Sequence, residues 1–312
     1  MENMKKGLMI IILSLIVKSS FGQQFVDLKG DYLGQTPPED TPVVFARGII
    51  STVYQEHGTP AFSPKGNEVF WQTNRLDSEK KWLISVMTMR RTEGSWTAPE
   101  VTPYVNGPVF SPDGNRLYFG SKDKGDDPYY IEKQGNSWGE PKYIGLIARF
   151  PEMQRAAQLS ITSNGTLYFI GYAEGKDLWQ NYGIYRMALI NGEYAKPELL
   201  PTNINAPGGI RNWAPFIAPD ESYLIFCSTR GLSKNDQGDL HICFRQTDGS
   251  WTDPINMGAQ INTSQMERFS SVTSDGKYLF FTRDTPGYDE DVYWVSAKII
   301  DRLRKKVMQK SN

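Results

Sequence analysis

A phrase of about fifty residues is spelled five times along this 312-residue chain, and nothing else in it restricts the fold as much. The first two copies read Ala61-Phe62-Ser63-Pro64-Lys65-Gly66 with Glu68-Val69-Phe70-Trp71, and Val109-Phe110-Ser111-Pro112-Asp113-Gly114 with Arg116-Leu117-Tyr118-Phe119. The next two are Leu159-Ser160-Ile161-Thr162-Ser163-Asn164-Gly165 with Leu167-Tyr168-Phe169, and Pro215-Phe216-Ile217-Ala218-Pro219-Asp220-Glu221 with Tyr223-Leu224-Ile225-Phe226. The last is Ser271-Val272-Thr273-Ser274-Asp275-Gly276 with Tyr278-Leu279-Phe280-Phe281. Each reads as strand, tight turn, strand, because Gly accepts positive φ and Asp bonds its own backbone two residues on.

Counted at the Gly place of each turn, positions 66, 114, 165, 221 and 276, the spacings are 48, 51, 56 and 55. Behind each pair stands a third strand, such as Trp82 to Val86, Leu240 to Phe244 or Val292 to Val295. A second turn then opens a fourth strand in four of the copies, at Gly94-Ser95-Trp96, Asn136-Ser137-Trp138, Gly192-Glu193-Tyr194 and Gly249-Ser250-Trp251, each followed by a Pro at a fixed place. Pro is tolerated at a sheet edge and hardly elsewhere in a sheet, so the fourth strand is the rim of each unit. Four short strands per unit and this period predict an all-β, single β-propeller of five four-stranded blades, with a sixth irregular blade left open inside the long fourth repeat.

The fifth copy lacks a fourth strand, and an orphan strand, Pro42-Val43-Val44-Phe45-Ala46, precedes the first copy. Pairing the two closes the ring and removes the exposed edges. The chain thus divides into a leader (1–22), an extended lead-in (23–41), the propeller (42–298) and a basic tail (299–312) that is a short helix or disordered.

The leader has a basic start, an apolar run from Gly7 to Val17 and small residues at Ser20 and Gly22, which predicts a secretory signal cut before Gln23. With no Cys behind the apolar run, a lipoprotein anchor is not expected, and the mature protein is placed in the periplasm or outside the cell. Without residues 1–22 the chain carries 31 basic and 34 acidic residues, a balance unsuited to nucleic acid. Cys227 and Cys243 fall on neighbouring strands of the fourth copy, where either a disulfide or two buried thiols would fit.

The Ser-Pro-Asp-Gly-x-x-Leu-Tyr-Phe phrase, clearest at Ser111 to Phe119 and at Ser274-Asp275-Gly276, resembles the WD40-like or PD40 repeat of TolB-like propellers. The Trp-x-x-Pro phrase is similar to versions common in exported bacterial proteins. The likeness covers residues 42–298 and implies a secreted or periplasmic propeller that binds a cell-envelope protein, a peptide or a glycan. It weakens at Lys65, where Asp is replaced, and at Glu221, where Gly is lost.

Strands of a blade alternate in direction, so the Asp-Gly turns share one face and the variable segments share the other. There the residues entering the innermost strands supply His57, Asn106, Arg155, Arg211, Asn212 and Arg268 as candidate ligand-binding groups around one channel mouth. Such a set binds carboxylates or sugar hydroxyls, or else bonds within itself and ties neighbouring blades together. Glu56 and Glu267 are the candidate acid and base should the protein be a carbohydrate-active enzyme, a glycoside hydrolase or lyase, instead of a non-catalytic binder. Trp179, Tyr182, Trp213 and Tyr288 suit sugar stacking or a protein contact on the same face.

No motif calls for a cofactor: there is no His-Glu-x-x-His, no Cys-x-x-Cys and no phosphate loop. The acid-rich loops Lys122 to Asp127, Lys234 to Asp239 and Asp289 to Asp291 leave Ca²⁺ open, although none has the twelve-residue pattern with a closing Glu. Gly135-Asn136-Ser137-Trp138-Gly139 matches a nucleophile elbow, but it occupies a repeat turn with no helix behind it.

Overall fold

The computed structural model describes residues 27–121, 127–173, 182–232, 238–286 and 289–310. The leader 1–22, the start of the lead-in, most of the loops 122–127 and 234–239, and Trp179 and Tyr288 lie outside the described residues.

Five antiparallel sheets follow one another, each starting on a repeat phrase. The four strands of blade 1 are Ala61–Phe62, Glu68–Leu76, Trp82–Thr92 and Glu100–Val101. Blade 2 is Val109–Phe110, Arg116–Phe119, Tyr129–Gln134 and Lys142–Tyr143, and blade 3 is Met153–Ile161, Leu167–Ala173, Gly183–Met187 and Glu198–Leu199. Blade 4 is Asn212–Ile217, Tyr223–Ser228, Asp239–Phe244 and Ile255–Asn256. Blade 5 is Glu267–Val272, Tyr278–Asp284, Glu290–Ser296 and the N-terminal Val43–Val44, which pairs Val43 with Trp294 and Val44 with Tyr293.

The rim differs in one respect from expectation. Pro99, Pro141, Pro197 and Pro254 each sit just before the outermost strand, so the Ser95–Trp96 and Ser137–Trp138 pairs are separate short strands rather than the start of one fourth strand. A residue with no N–H interrupts the ladder at that point.

The turns are built as their letters suggest. Ser111 Oγ donates to Asp113 Oδ1 (2.6 Å) and accepts from the N–H of Arg116 (2.9 Å), while Gly114, at φ 72°, donates its N–H to the Ser111 carbonyl (2.8 Å). Glu221, which stands in the Gly place of blade 4, takes the same conformation at φ 58°. Its carboxylate accepts from Tyr168 Oη (2.9 Å) and Arg186 Nε (3.4 Å) of blade 3. The strained turn thus gains an inter-blade tie that glycine could not make.

Apolar residues fill the space between blades in five clusters, one for each neighbouring pair. Phe70 and Val86 meet Leu117 and Phe119 between blades 1 and 2, and Tyr118 meets Phe169 between 2 and 3. Tyr168 and Ile170 meet Leu224 and Phe226, Ile225 and Ile242 meet Leu279 and Phe281, and Phe280 and Trp294 meet Trp71 across the closure. Five blades joined by five interfaces close the ring, so the long fourth repeat hides no sixth blade. Cys227 belongs to the interface with blade 5 and Cys243 to that with blade 3; both are free and point to opposite faces of blade 4.

The lead-in and the tail are both docked. Leu33 is buried, Tyr32 stands edge-on to Phe62 and Tyr278 (both 5.2 Å), and Glu39 accepts from the N–H of Ser296 (2.9 Å). The basic tail is a helix, Lys298–Lys310, that packs Ile299, Ile300, Leu303 and Val307 on the interface of blades 4 and 5. Arg302 pairs with Asp40 (2.8 Å), so the lead-in and the tail helix meet.

Candidate functional site

The five innermost strands enclose a channel of about 930 Å³ along the propeller axis. Its far end is rimmed by the turn residues Pro64, Pro112, Ser163, Pro219 and Ser274, and its near end by the segments that precede the innermost strands. Among the described lining residues there is one arginine, Arg155, and one histidine, His57, with several amides and hydroxyls and no Asp, Glu or Lys.

Seven residues before the Gly place stand Gly107, Gln158, Ala214 and Phe269, all at positive φ (43°, 55°, 51° and 50°). The ladder shifts register there, between Ala157 and Ser160, Trp213 and Phe216, and Arg268 and Ser271. A left-handed non-glycine residue costs about 1–2 kcal/mol, and its recurrence at one level of the channel marks a built feature rather than a local accident. The bulge turns N–H groups off the ladder, and glutamines of the preceding blade take them. Gly107 N–H donates to Gln72 Oε1 and Ala214 N–H to Gln158 Oε1, both at 2.7 Å.

Of the predicted binding residues, His57, Asn106 and Arg155 do come together on the channel wall. His57 Nδ1 lies 3.2 Å from Glu290 Oε2, and its ring packs edge-on against Phe269. Arg155 donates from Nη1 to Tyr182 Oη (3.1 Å). The other three residues sit off the channel. Asn212 is buried and accepts from Ser228 Oγ (2.8 Å), and the Arg211 guanidinium lies over Trp213. Arg268 grips Glu290 with two parallel bonds (both 2.9 Å) and reaches Asp284 (3.1 Å). Asn212 and Arg268 thus tie strands within their own blades, which is what a mixed charge set does when it is structural.

Glu56 and Glu267 are both 0 % exposed and neither lines the channel. Glu267 accepts from Arg283 Nε (2.7 Å), Thr263 Oγ1 (2.6 Å) and the N–H of Thr263 (3.1 Å). Burial still raises it above the usual carboxylate range. Glu56 accepts from Thr52 Oγ1 (2.8 Å) through Oε1, while Oε2 has no partner among the described residues. Burial, reinforced by Asp291 and Glu290, pushes its carboxyl up to about 8.

A carboxyl raised from 4.5 to about 8 holds a proton in the folded state that the unfolded chain gives up. Its contribution to stability is therefore complete below pH 4.5 and is lost as pH rises through 8. Glu56→Gln mimics the neutral acid at every pH, so it is expected to stabilise the protein by about 2–4 kcal/mol at pH 9 while changing little at pH 4.5. Denaturant melts of both proteins at the two pH values measure this, and a difference that does not vary with pH contradicts it.

The structure also brings in residues that the letters did not single out. The central hairpin of blade 1 pairs as far as Leu76 with Trp82, beyond the outer strand, whose bonds to it end at Val86. Trp82, 54 % exposed, and Ile84 face the channel on the same side as Gln72 and Asn74. The available signal was the alternation of Trp82, Ile84 and Val86 in a hairpin longer than its counterparts.

The acid-rich loops, where described, serve structural ends. Asp127 Oδ1 accepts the N–H of Leu146 (2.8 Å) at the start of a short helix, Asp239 Oδ2 accepts from Asn256 (2.6 Å), and Asp291 lies 3.9 Å from Arg47.

No family model matches the chain, and no curated protein matches it in sequence. Solved structures do. A thermostable family-43 glycoside hydrolase is 13% identical over 78% of this chain and 90% of its own, with a TM-score of 0.50. TolB from Acinetobacter baumannii is 15% identical over 66% of this chain, TM-score 0.40, and this chain spans 47% of that one. The propeller domain of the trilobed protease from Pyrococcus furiosus, described as having an open velcro topology, is 11% identical over 78% of this chain and 68% of its own, TM-score 0.39. At such identities the likeness concerns the fold, and with the five sheets, five interfaces and N-terminal closure seen here, the chain is a five-bladed β-propeller.

Proposed function

We propose that this protein is an exported, non-catalytic propeller that holds a ligand of the cell envelope, a protein, peptide or glycan, in the mouth of its central channel. The observation that carries the reading is the composition of the channel wall. A cavity of about 930 Å³ is framed by apolar strand residues and converging amides, hydroxyls, His57 and Arg155, the usual make-up of a recognition site. Carboxylate-based glycoside hydrolysis needs two acids facing the bound sugar, and no described lining residue is Asp or Glu. The Glu56 and Glu267 carboxylates are buried in contacts with neighbouring segments of their own blades, which weighs against the enzymatic alternative built on them. Among the described residues no helix is long and apolar enough to cross a membrane.

The test is a binding and product-release screen of the chain from residue 23 against glycans and envelope peptides. Ligand is expected to bind without turnover. Trp82→Ala is expected to weaken binding about ten- to thirtyfold, the usual cost of truncating an exposed aromatic anchor, with the melting temperature unchanged. Product that disappears with Glu56→Gln or Glu267→Gln would make the protein an enzyme and end the binding-only reading.

A further inference from the structure

In four of the five blades the outer chain covers the third strand almost to its start. It bonds the carbonyl of Pro128 in blade 2 (2.9 Å), Ile184 in blade 3 (3.0 Å), Leu240 in blade 4 (3.0 Å) and Val292 in blade 5 (2.8 Å), where the third strands begin at Tyr129, Gly183, Asp239 and Glu290. In blades 3, 4 and 5 a side chain then finishes the edge as one more backbone residue would. Asn205 accepts the N–H of Ile184 and donates to its carbonyl (2.9 and 3.0 Å), and Asn262 does the same for Leu240 (both 2.9 Å). Ser51 Oγ serves Val292 in the same way (3.1 and 3.3 Å).

Blade 1 has no such seal among the described residues. Its third strand begins at Trp82, but the last bond from the outer chain, from the N–H of Thr102 to the carbonyl of Val86 (2.8 Å), falls four residues further on. Asn205 and Asn262 stand five places after Leu200 and Met257; the same place after Thr102 holds Gly107, which has no side chain to turn back. The hairpin keeps one register from Glu68 with Arg90 to Leu76 with Trp82, so Trp82 and Ile84 share the direction of Val86 and aim their N–H and C=O groups away from the neighbouring strand. Nothing among the described residues bonds those groups. The inner edge of the same hairpin is closed, at Asn74, by two bonds to Gln55 (3.0 and 2.8 Å).

Proteins cover, charge or shorten such an edge, because a row of bare backbone groups pairs with any extended chain. No charged residue and no Pro stands among Trp82, Leu83, Ile84 and Ser85 to guard this one. It is flanked by apolar side chains instead: Trp82 and Ile84 toward the channel, Leu76 beside Trp82 across the hairpin, and Leu83 on the opposite face, 41 % exposed.

We propose that the partner of this mouth is a polypeptide, taken up as an added strand along the bare outer edge of blade 1 beside Trp82 and Ile84. The inference rests on the channel reading above, since both residues line the mouth, and names the class of its ligand. Only a polypeptide carries donors and acceptors at the spacing of a strand, so these groups select it over a glycan. Aromatic or β-branched residues at alternate places on it would pack against Trp82 and Ile84. A second copy of this chain fits less well, because antiparallel pairing centred on Ile84 sets Trp82 against Val86, whose carbonyl Thr102 already holds.

The test is residue-resolved hydrogen exchange on the chain from residue 23. In the free protein Trp82 and Ile84 are expected to exchange at least about tenfold faster than Leu83 and Ser85, whose amides bond Arg75 and Thr73 across the hairpin. Short peptides selected from a library with aromatic and β-branched residues at alternate places are expected to slow Trp82 and Ile84 to the rate of their neighbours. N-methylation of one alternate set of peptide amides should weaken binding about tenfold, and of the other set less than about twofold, because only one set faces the edge. Ile84→Pro removes an outward N–H at an edge position, where Pro is tolerated, and should weaken binding by the same tenfold at an unchanged melting temperature, whereas Ile84→Val should not. The methylated peptides give the same answer without any variant.

Slow exchange at Trp82 and Ile84 in the free protein shows the edge already taken and overturns the inference; slowing that grows with protein concentration assigns it to a second copy. Peptide binding that is lost with Trp82→Ala, yet leaves the two amides fast and ignores methylation, overturns strand addition and leaves the channel reading intact. Binding insensitive to Trp82→Ala, to Ile84→Pro and to methylation places the peptide elsewhere and removes the channel reading with the inference. A library that yields no binder overturns the inference and leaves the channel to the glycans of the screen above.

Discussion

Glu290→Ala is expected to destabilise the protein by about 3–5 kcal/mol, because it leaves the Arg268 guanidinium buried without its main counter-charge. Glu290 is 0 % exposed and accepts from Arg268 twice, from His57 and from Thr282 Oγ1, while its carbonyl accepts the N–H of Glu56 (3.0 Å). Burial alone would raise such a carboxyl; the His57 and Arg268 bonds overcome it and hold it at about 2.

The sign of the pH effect follows. A folded value depressed from 4.5 to about 2 contributes stability that is present above pH 4.5 and is lost as pH falls toward 2. Denaturant titrations at pH 7 and pH 3 should show the penalty of Glu290→Ala shrinking in acid. Replacing both partners, as Glu290→Leu with Arg268→Met, should cost less than the two single substitutions summed, since an apolar pair leaves no orphan charge. A single-variant loss below about 1 kcal/mol at pH 7 would show that the pair holds nothing together.

Phe45→Ala is expected to cost about 3–5 kcal/mol, the range for deleting a buried phenylalanine, and to act mainly on the ring closure. The closing strand, Val43–Val44, is two residues long, so its hydrogen bonds alone are a weak clasp. Phe45 follows it into the interface of blades 5 and 1, fully buried, with ring centroids 4.9 Å from Phe280, 5.0 Å from Trp294 and 5.9 Å from Phe62. Hydrogen exchange should accelerate first at Phe45 and Val292, whose amides flank the closure, and later in blade 3. Val43→Ala, at a site 43 % exposed, is the control and should change stability by less than about 0.5 kcal/mol. Uniform acceleration around the ring would show that the N-terminus is not the clasp.

The same contrast separates what could be read in the letters from what could not. The turns were legible because they are local. Ser111, Asp113 and Gly114 make their bonds within five residues, so their spelling states their geometry. Blade number and closure were legible because repetition and a missing fourth strand are counting problems. The departure at Glu221 was visible as a lost Gly, but its reason, bonds to Tyr168 and Arg186 of another blade, was not.

The candidate site was only half legible. Glu56, Asn106, Arg155, Arg211 and Glu267 stand at similar places before their turns, and nothing in that spacing tells a wall residue from an interface residue. The fold decided it by direction: a strand at the channel offers one edge to the cavity and its two faces to neighbouring blades, so a shift of one residue sends a side chain from ligand to packing. Glu56 and Glu267 fell on the packing side and His57 and Arg155 on the channel side. Trp82 reaches the mouth only because its hairpin outgrows the neighbouring strands. The amino-acid sequence by itself determined the repeating unit, its turns and the number of units, since these rest on contacts between residues close along the chain. The tertiary structure alone decided which groups meet in the channel and which way their donors point, because those bonds join residues of different blades and depend on how the blades are rotated against each other.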